Sequence, residues 1–223
     1  MLRLSLSIFL LLATGLHAQD KGRTHVRFLA ERTPPNLGKV VVSNTDKGGS
    51  APFSLPVNFL SEPVEVPSRS FVVRSQQPEV KLASIQLPEA GDAFVVILIL
   101  GPTGYEPIVI PASDASFKSG DVYFYNHTED SVMGYVGTTK FQIPKQKGQV
   151  VKPAGPKAEK YYDVAFGVRG DGGDHLLSTT RWPVDEQSRS YVFFFKNPNT
   201  DHVEYRAVDE FIPPDPKKPQ AQN

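Results

Sequence analysis

Two uninterrupted apolar runs constrain this chain more than any other feature: residues 93–100, AFVVILIL, and residues 191–195, YVFFF. Both are rich in β-branched and aromatic side chains. Turn formers bound them, Glu89-Ala90-Gly91-Asp92 before the first and Asn197-Pro198-Asn199 after the second. Runs this short are poor buried helices and read as central strands covered on both faces. Each sits near the end of a similar series of weaker strand signals, which predicts one β-sandwich architecture used twice.

The rest of the chain agrees. Twenty prolines and seventeen glycines are spread along 223 residues. They leave no stretch of a dozen residues with an unbroken i, i+3, i+4 apolar pattern, so the fold class is all-β. The opening MLRLSLSIFLLLATGLHAQD has one positive charge at Arg3, an apolar run over 4–12 and small residues to Ala18. That is the layout of a secretory signal peptide cleaved after Ala18. The run falls short of the roughly 20 residues that span a bilayer. The expected location is therefore periplasmic, cell-envelope or extracellular, with no transmembrane segment in the mature chain. The chain has no cysteine, so neither disulfides nor a lipoprotein anchor enter the argument. With 24 basic against 24 acidic residues, no charge excess favours nucleic acid or an anionic membrane.

The first domain is expected over 24–111. Residues 25–30 (HVRFLA) alternate as a half-buried strand, and 39–43 with 51–55 read as a hairpin around Asn44, Asp46 and Gly48. Strands at 64–66, 71–74, 81–87, 93–100 and 106–110 follow. Residues 112–120 form a short linker. The second domain, 121–211, repeats the plan: 121–126, a hairpin of 131–136 with 139–143, then 150–153, 161–168, 175–182, 191–195 and 202–208. Phe141-Gln142-Ile143-Pro144 echoes Phe53-Ser54-Leu55-Pro56, and six such echoes in one order predict an internal duplication. Residues 212–223, with four prolines and almost nothing apolar, are expected to be disordered.

Searches for catalytic signatures find none: no G-x-S-x-G, no H-E-x-x-H, no glycine-rich phosphate loop. Asp171-Gly172-Gly173-Asp174-His175 is the one candidate metal loop. Asp171, Asp174 and His175 offer hard ligands suited to calcium, while the same residues suit a tight turn. No other cofactor is expected. His127, Glu129 and Asp130 read as a polar connection, and Asn126-His127-Thr128 fits the N-glycosylation pattern. Exposed aromatics stack on sugars and anchor interfaces. Tyr123 and Tyr125 share one strand face, accessible unless the domain interface covers it. One of Tyr161 and Tyr162 must look outward, and Trp182, the single tryptophan, sits at a strand end. Tyr123, Tyr125, Tyr162 and Trp182 are the candidate binding residues.

On these strands the chain resembles tandem immunoglobulin-like or fibronectin-like modules of exported proteins, without the cysteines of immunoglobulin domains proper. The stretch VRFLAERTPPNLGKVVVSN is also similar to the opening of a family of secreted bacterial domains of unknown function. The resemblance implies a fold and no site residue. The expected role is a non-catalytic binding or structural module with a protein or glycan partner. Two alternatives stand beside it: a carbohydrate-binding or carbohydrate-processing sandwich, and an envelope assembly component that exchanges a strand.

Overall fold

The computed structural model describes residues 23–44, 49–101, 103–155, 160–170 and 172–213. The expected signal peptide, Asp46, Gly48, Asp171 and the tail beyond residue 213 lie outside the described residues. Every regular element among those described is a β-strand, so no helix is long and apolar enough to cross a membrane.

In the first domain, β1 (His25–Ala30), β3 (Val64–Glu65), β6 (Ala93–Gly101) and β7 (Gly104–Pro111) make a sheet in the order β3-β1-β6-β7. Facing it is a three-stranded sheet of β2 (Val40–Ser43), β4 (Ser70–Gln76) and β5 (Glu79–Gln86), in the order β2-β4-β5. In the second domain, β8 (Val122–Asn126), β11 (Lys147–Val151), β14 (Ser188–Lys196) and β15 (Val203–Phe211) make the sheet β11-β8-β14-β15. Opposite it, β9 (Ser131–Val136), β10 (Thr139–Ile143), β12 (Tyr161–Gly170) and β13 (Gly173–Pro183) make β10-β9-β12-β13.

The larger sheet of the first domain and its counterpart have the same internal order. In both, the opening strand pairs in parallel with the long apolar strand, β1 with β6 and β8 with β14, while the neighbouring pairs are antiparallel. The cores match as well. Phe28 stacks on Phe53 with ring centroids 5.4 Å apart, and Phe124 stacks on Phe141 at 4.4 Å. One expected strand is reduced: of residues 51–55 only Phe53 pairs, in a single bridge to Val40. Pro52 and Pro56 flank it, and proline removes the donors that a longer ladder would need.

The apolar runs are buried on both faces because each serves two cores. On β6, Phe94, Val96 and Leu98 fill the first sandwich. The alternate residues Val95, Ile97 and Ile99 point the other way, into a cluster with Leu29, Ile108 and Ile110. On β14, Val192 and Phe194 fill the second sandwich, whereas Tyr191, Phe193 and Phe195 enter that same shared cluster. The β3-β1-β6-β7 and β11-β8-β14-β15 sheets therefore pack on one another, and the molecule is four layers deep.

The connection between the domains is held in this interface. Phe117 is buried, edge-on to Tyr191 at 5.3 Å. The Arg189 guanidinium lies 4.7 Å over the Phe117 ring and donates to the carbonyls of Ala112 (2.9 Å) and Phe117 (3.3 Å). Polar contacts complete the join: Arg27 to Glu210, Arg206 to the carbonyls of Glu31 and Val57, and His127 to Glu106 at 3.3 Å.

Candidate functional site

The two sandwiches differ at one end. Phe28 sits opposite Val96, and Phe124 opposite Val192. Matching the ladders on those pairs places Phe94 and its partner Pro111 where the second domain has Ser190 and Asp209. On the facing sheets, the Val40–Phe53 bridge matches the Gly134–Phe141 pair, which aligns Phe71 and its partner Ile85 with Tyr162 and Trp182. Phe71, Ile85 and Phe94 are each at most 2% exposed and close the first sandwich. Their counterparts Tyr162, Trp182 and Ser190 are only half-buried, and Asp209 is exposed.

Ser190 stands at the ladder position where the first domain has the buried Phe94, and the mouth stays open. The edges spread with it. β5 packs along β7 in the first domain, whereas β13 and β15 meet only marginally, with a hydrogen bond from Tyr205 Oη to Ser178 Oγ (3.1 Å) spanning the gap.

The result is a pocket of about 190 Å³ at the end of the second sandwich, floored by Val122 and Val136. Trp182 and Tyr162 form its aromatic wall. The indole stacks on Phe124 at 6.3 Å with an interplanar angle of 14° and tilts against Phe166, so the core fixes the ring's orientation. Gly137, at φ 60°, and Gly155 pass so close to the Tyr162 ring that a Cβ on Gly137 would lie 3.0 Å from it. A Cβ at Gly137 would clash first with the Ala154 carbonyl and then with the ring, and one at Gly155 would crowd the ring at 3.3 Å.

Asp121, Asp185, Glu186 and Asp209 supply carboxylates around the rim, with Ser188 and Ser190 between them. Asp185 Oδ1 accepts the backbone N–H groups of Gln187 (2.8 Å) and Ser188 (3.1 Å). These bonds hold its carboxyl below the usual aspartate range, the Gln187 amide contributing most. Asp209 Oδ1 accepts the Ser190 hydroxyl at 2.6 Å, and Asp121 Oδ2 accepts the Lys118 amide at 2.9 Å with Lys152 Nζ at 3.7 Å. Among the described residues no group of three or more His, Cys, Asp or Glu side chains converges tightly enough to hold a metal ion.

The expected site residues divide. Tyr162 and Trp182 come together in the pocket. Tyr123 and Tyr125 do not join them: both are packed against the shared cluster between the domains. This corrects their reading as an open binding face. Burial raises both hydroxyls, with Tyr125 adding to the effect on Tyr123 and Glu106 to that on Tyr125. Of the metal loop, Asp174 is committed elsewhere. Its two oxygens take Arg169 Nε (2.6 Å) and Nη2 (2.7 Å) as a bidentate pair, which lowers its pKa and occupies the atoms a cation would need. His175 is exposed beside it, on the rim of a shallow apolar groove with Met133, Tyr135 and Leu176.

Asn126 is not a glycan acceptor in the folded chain. It is fully buried, its amide donates to the carbonyls of Asp130 (2.7 Å) and Ile143 (3.1 Å), and its oxygen accepts the Thr128 amide and hydroxyl. Reasoning from sequence missed Asp121, Asp185, Ser190 and Asp209. The signal was the offset between the two apolar runs: Ser190, not Tyr191, holds the ladder position that corresponds to Phe94. No protein-family model and no curated protein matches the chain.

Proposed function

We propose that this protein is a non-catalytic binding module, exported by its first eighteen residues, whose ligand seat is the open mouth of the second sandwich. One observation carries this reading: ladder positions that plug the first sandwich with Phe94, Phe71 and Ile85 hold Ser190, Tyr162 and Trp182 in the second. Aromatic walls with a few convergent polar groups make up a ligand pocket. The matched strand orders and the paired Phe28–Phe53 and Phe124–Phe141 stacks support descent from one duplicated module of immunoglobulin-like or fibronectin-like type. In that account the first copy keeps the framework and the second carries the site.

Non-catalytic binding is favoured over glycoside processing on the chemistry of the rim. A general acid needs a raised pKa, and Asp185, held in the opposite direction by backbone amides, does not fill that role. The test uses the single tryptophan as a built-in reporter. Sugars, capped amino acids and amines are titrated into the mature protein while indole emission is followed, with Ser190→Phe as the plugged control. Saturable change in the wild type and none in the variant is expected. If no class of ligand perturbs Trp182, the mouth is not a ligand seat.

A second reading rests on β13. This strand of eleven residues pairs along one edge only, with β12, and its residues 173–182 contain neither lysine nor proline. Long edges without such blunting accept added strands. An extended peptide that protected the amides of β13 from hydrogen exchange would favour strand addition as the binding mode.

A further inference from the structure

We infer that the mouth of the second sandwich receives an organic cation, an ammonium or guanidinium group on an aliphatic stem. This rests on the reading of the mouth as a ligand seat and adds the class of ligand. Size comes first. At about 190 Å³ the pocket is below the roughly 300 Å³ at which small-molecule sites begin, so it accommodates one functional group entering end-on rather than a length of glycan.

Charge comes second. Asp121, Asp185, Glu186 and Asp209 all line the space. Among the described residues only Asp121 has a basic partner, Lys152 Nζ at 3.7 Å, and that lysine is itself largely exposed. Asp185 stays ionised into acid because amide donors stabilise its charge. Asp209 spends one oxygen on Ser190 and keeps the other for a ligand.

The walls supply the third element. Trp182 stacks on Phe124 of the core and lines the pocket beside Tyr162. A cation at an indole or phenol face gains about 0.5–1 kcal/mol where exposed and about 2 where desolvated. A neutral sugar would stack on the same ring but leave the rim carboxylates uncompensated. A bare divalent ion is disfavoured for a different reason: among the described residues no three ligating side chains converge. Carboxylates spaced around an aromatic wall match a diffuse organic charge better than a compact metal ion.

The experiment is a titration of the full mature chain, read by Trp182 emission, with N-acetyl-arginine amide, N-acetyl-lysine amide and spermidine. N-acetyl-citrulline amide serves as the neutral isostere of arginine, and a neutral trisaccharide represents the sugar class. The cations are expected to bind at least about tenfold more tightly than citrulline, a ratio worth about 1.4 kcal/mol, and to weaken as salt is raised. Asp209→Asn is expected to weaken them by about fivefold while leaving the melting temperature in place, since its side chain is exposed. Ser190→Phe should abolish the response. Stronger binding of spermidine than of the capped amino acids would identify a free polyamine as the source, and the reverse order a side chain of a protein partner; either order supports the inference. Citrulline or the trisaccharide binding as tightly as arginine would overturn the cationic class and leave the ligand seat standing. Silence of Trp182 toward every probe would overturn both.

Discussion

Arg27 Nη1 of β1 lies 3.3 Å from Glu210 Oε1 of β15, a contact that joins the two sandwiches across their shared apolar cluster. The same carboxylate accepts Arg189 Nε at 2.7 Å and the Tyr191 hydroxyl at 2.8 Å, and Arg189 and Glu210 are both buried. Glu210 thus compensates a buried guanidinium and a partly exposed one. Removing a single partner from such an arrangement leaves charge in a poorly solvating interior. Glu210→Ala is expected to destabilise the protein by about 3–5 kcal/mol, read by urea unfolding. Arg27→Met, which removes a partner far more open to water, is expected to cost about 1 kcal/mol or less. Equal effects of the two changes would mean that burial does not set the strength of this network.

The shared cluster also predicts how the molecule unfolds. Val95, Ile97, Ile99, Tyr191, Phe193 and Phe195 are buried only because the β6 and β14 sheets cover each other. Residues 24–111 alone would expose one side of that interface, so the isolated first domain is expected to self-associate. Size-exclusion chromatography with light scattering would detect this. The mature chain is expected to melt in a single transition, and Phe193→Ala to lower its stability by about 3–5 kcal/mol. Two well-separated transitions, or a monomeric isolated domain, would show that the interface contributes little.

Alkaline pH should weaken the join. Burial pushes the Tyr191 hydroxyl well above its ordinary value, opposed by the neighbouring Arg189 and reinforced by Glu210. A phenol with a raised pKa in the folded state keeps its proton while the unfolded chain releases it above the ordinary value of about 10. The stability it contributes is therefore complete below that pH and is lost as pH rises further. Tyr123 and Tyr125 shift in the same direction. Melting temperature is expected to hold between pH 8 and 9.5 or so and then fall, and the fall should be shallower in Tyr191→Phe. An unchanged slope in that variant would exclude Tyr191 as a source of the alkaline loss.

Plugging the mouth supplies the fourth prediction. Ser190→Phe restores the residue type found at Phe94 and places a ring against the indole of Trp182. With space of about 190 Å³ to receive it, the change is expected to leave stability within about 1 kcal/mol of wild type or to raise it, by thermal melting followed by circular dichroism. A loss of several kcal/mol would mean that the ladder correspondence does not extend to side-chain packing.

Much of the architecture was legible because it follows from short-range chemistry. Period-2 alternation over 25–30, β-branched runs and glycine- or proline-bearing turns specify strands wherever they occur in a chain, and each long apolar run became a central strand. The sequence also carried the reason for continuous burial, since a strand apolar at every position needs cover on both sides. What provides that cover is not a local property. Tertiary packing alone decided that the second face of β6 meets the second face of β14, which took Tyr123 and Tyr125 out of solvent.

The site was hidden for the same reason. Tyr162 and Trp182 stand twenty positions apart and become neighbours only through the β12–β13 register. Ser190 and Asp209 are ordinary polar residues until the ladder places them at the positions that Phe94 and Pro111 hold in the other domain. Asp174, which composition alone offers as a metal ligand, was claimed by Arg169 five residues earlier, a pairing that depends on the hairpin bringing the two side chains to one face. Residue type and spacing determined that this chain makes two sandwiches of strands. Which faces they hide, and which end stays open, was decided by side chains distant in sequence competing for the same volume.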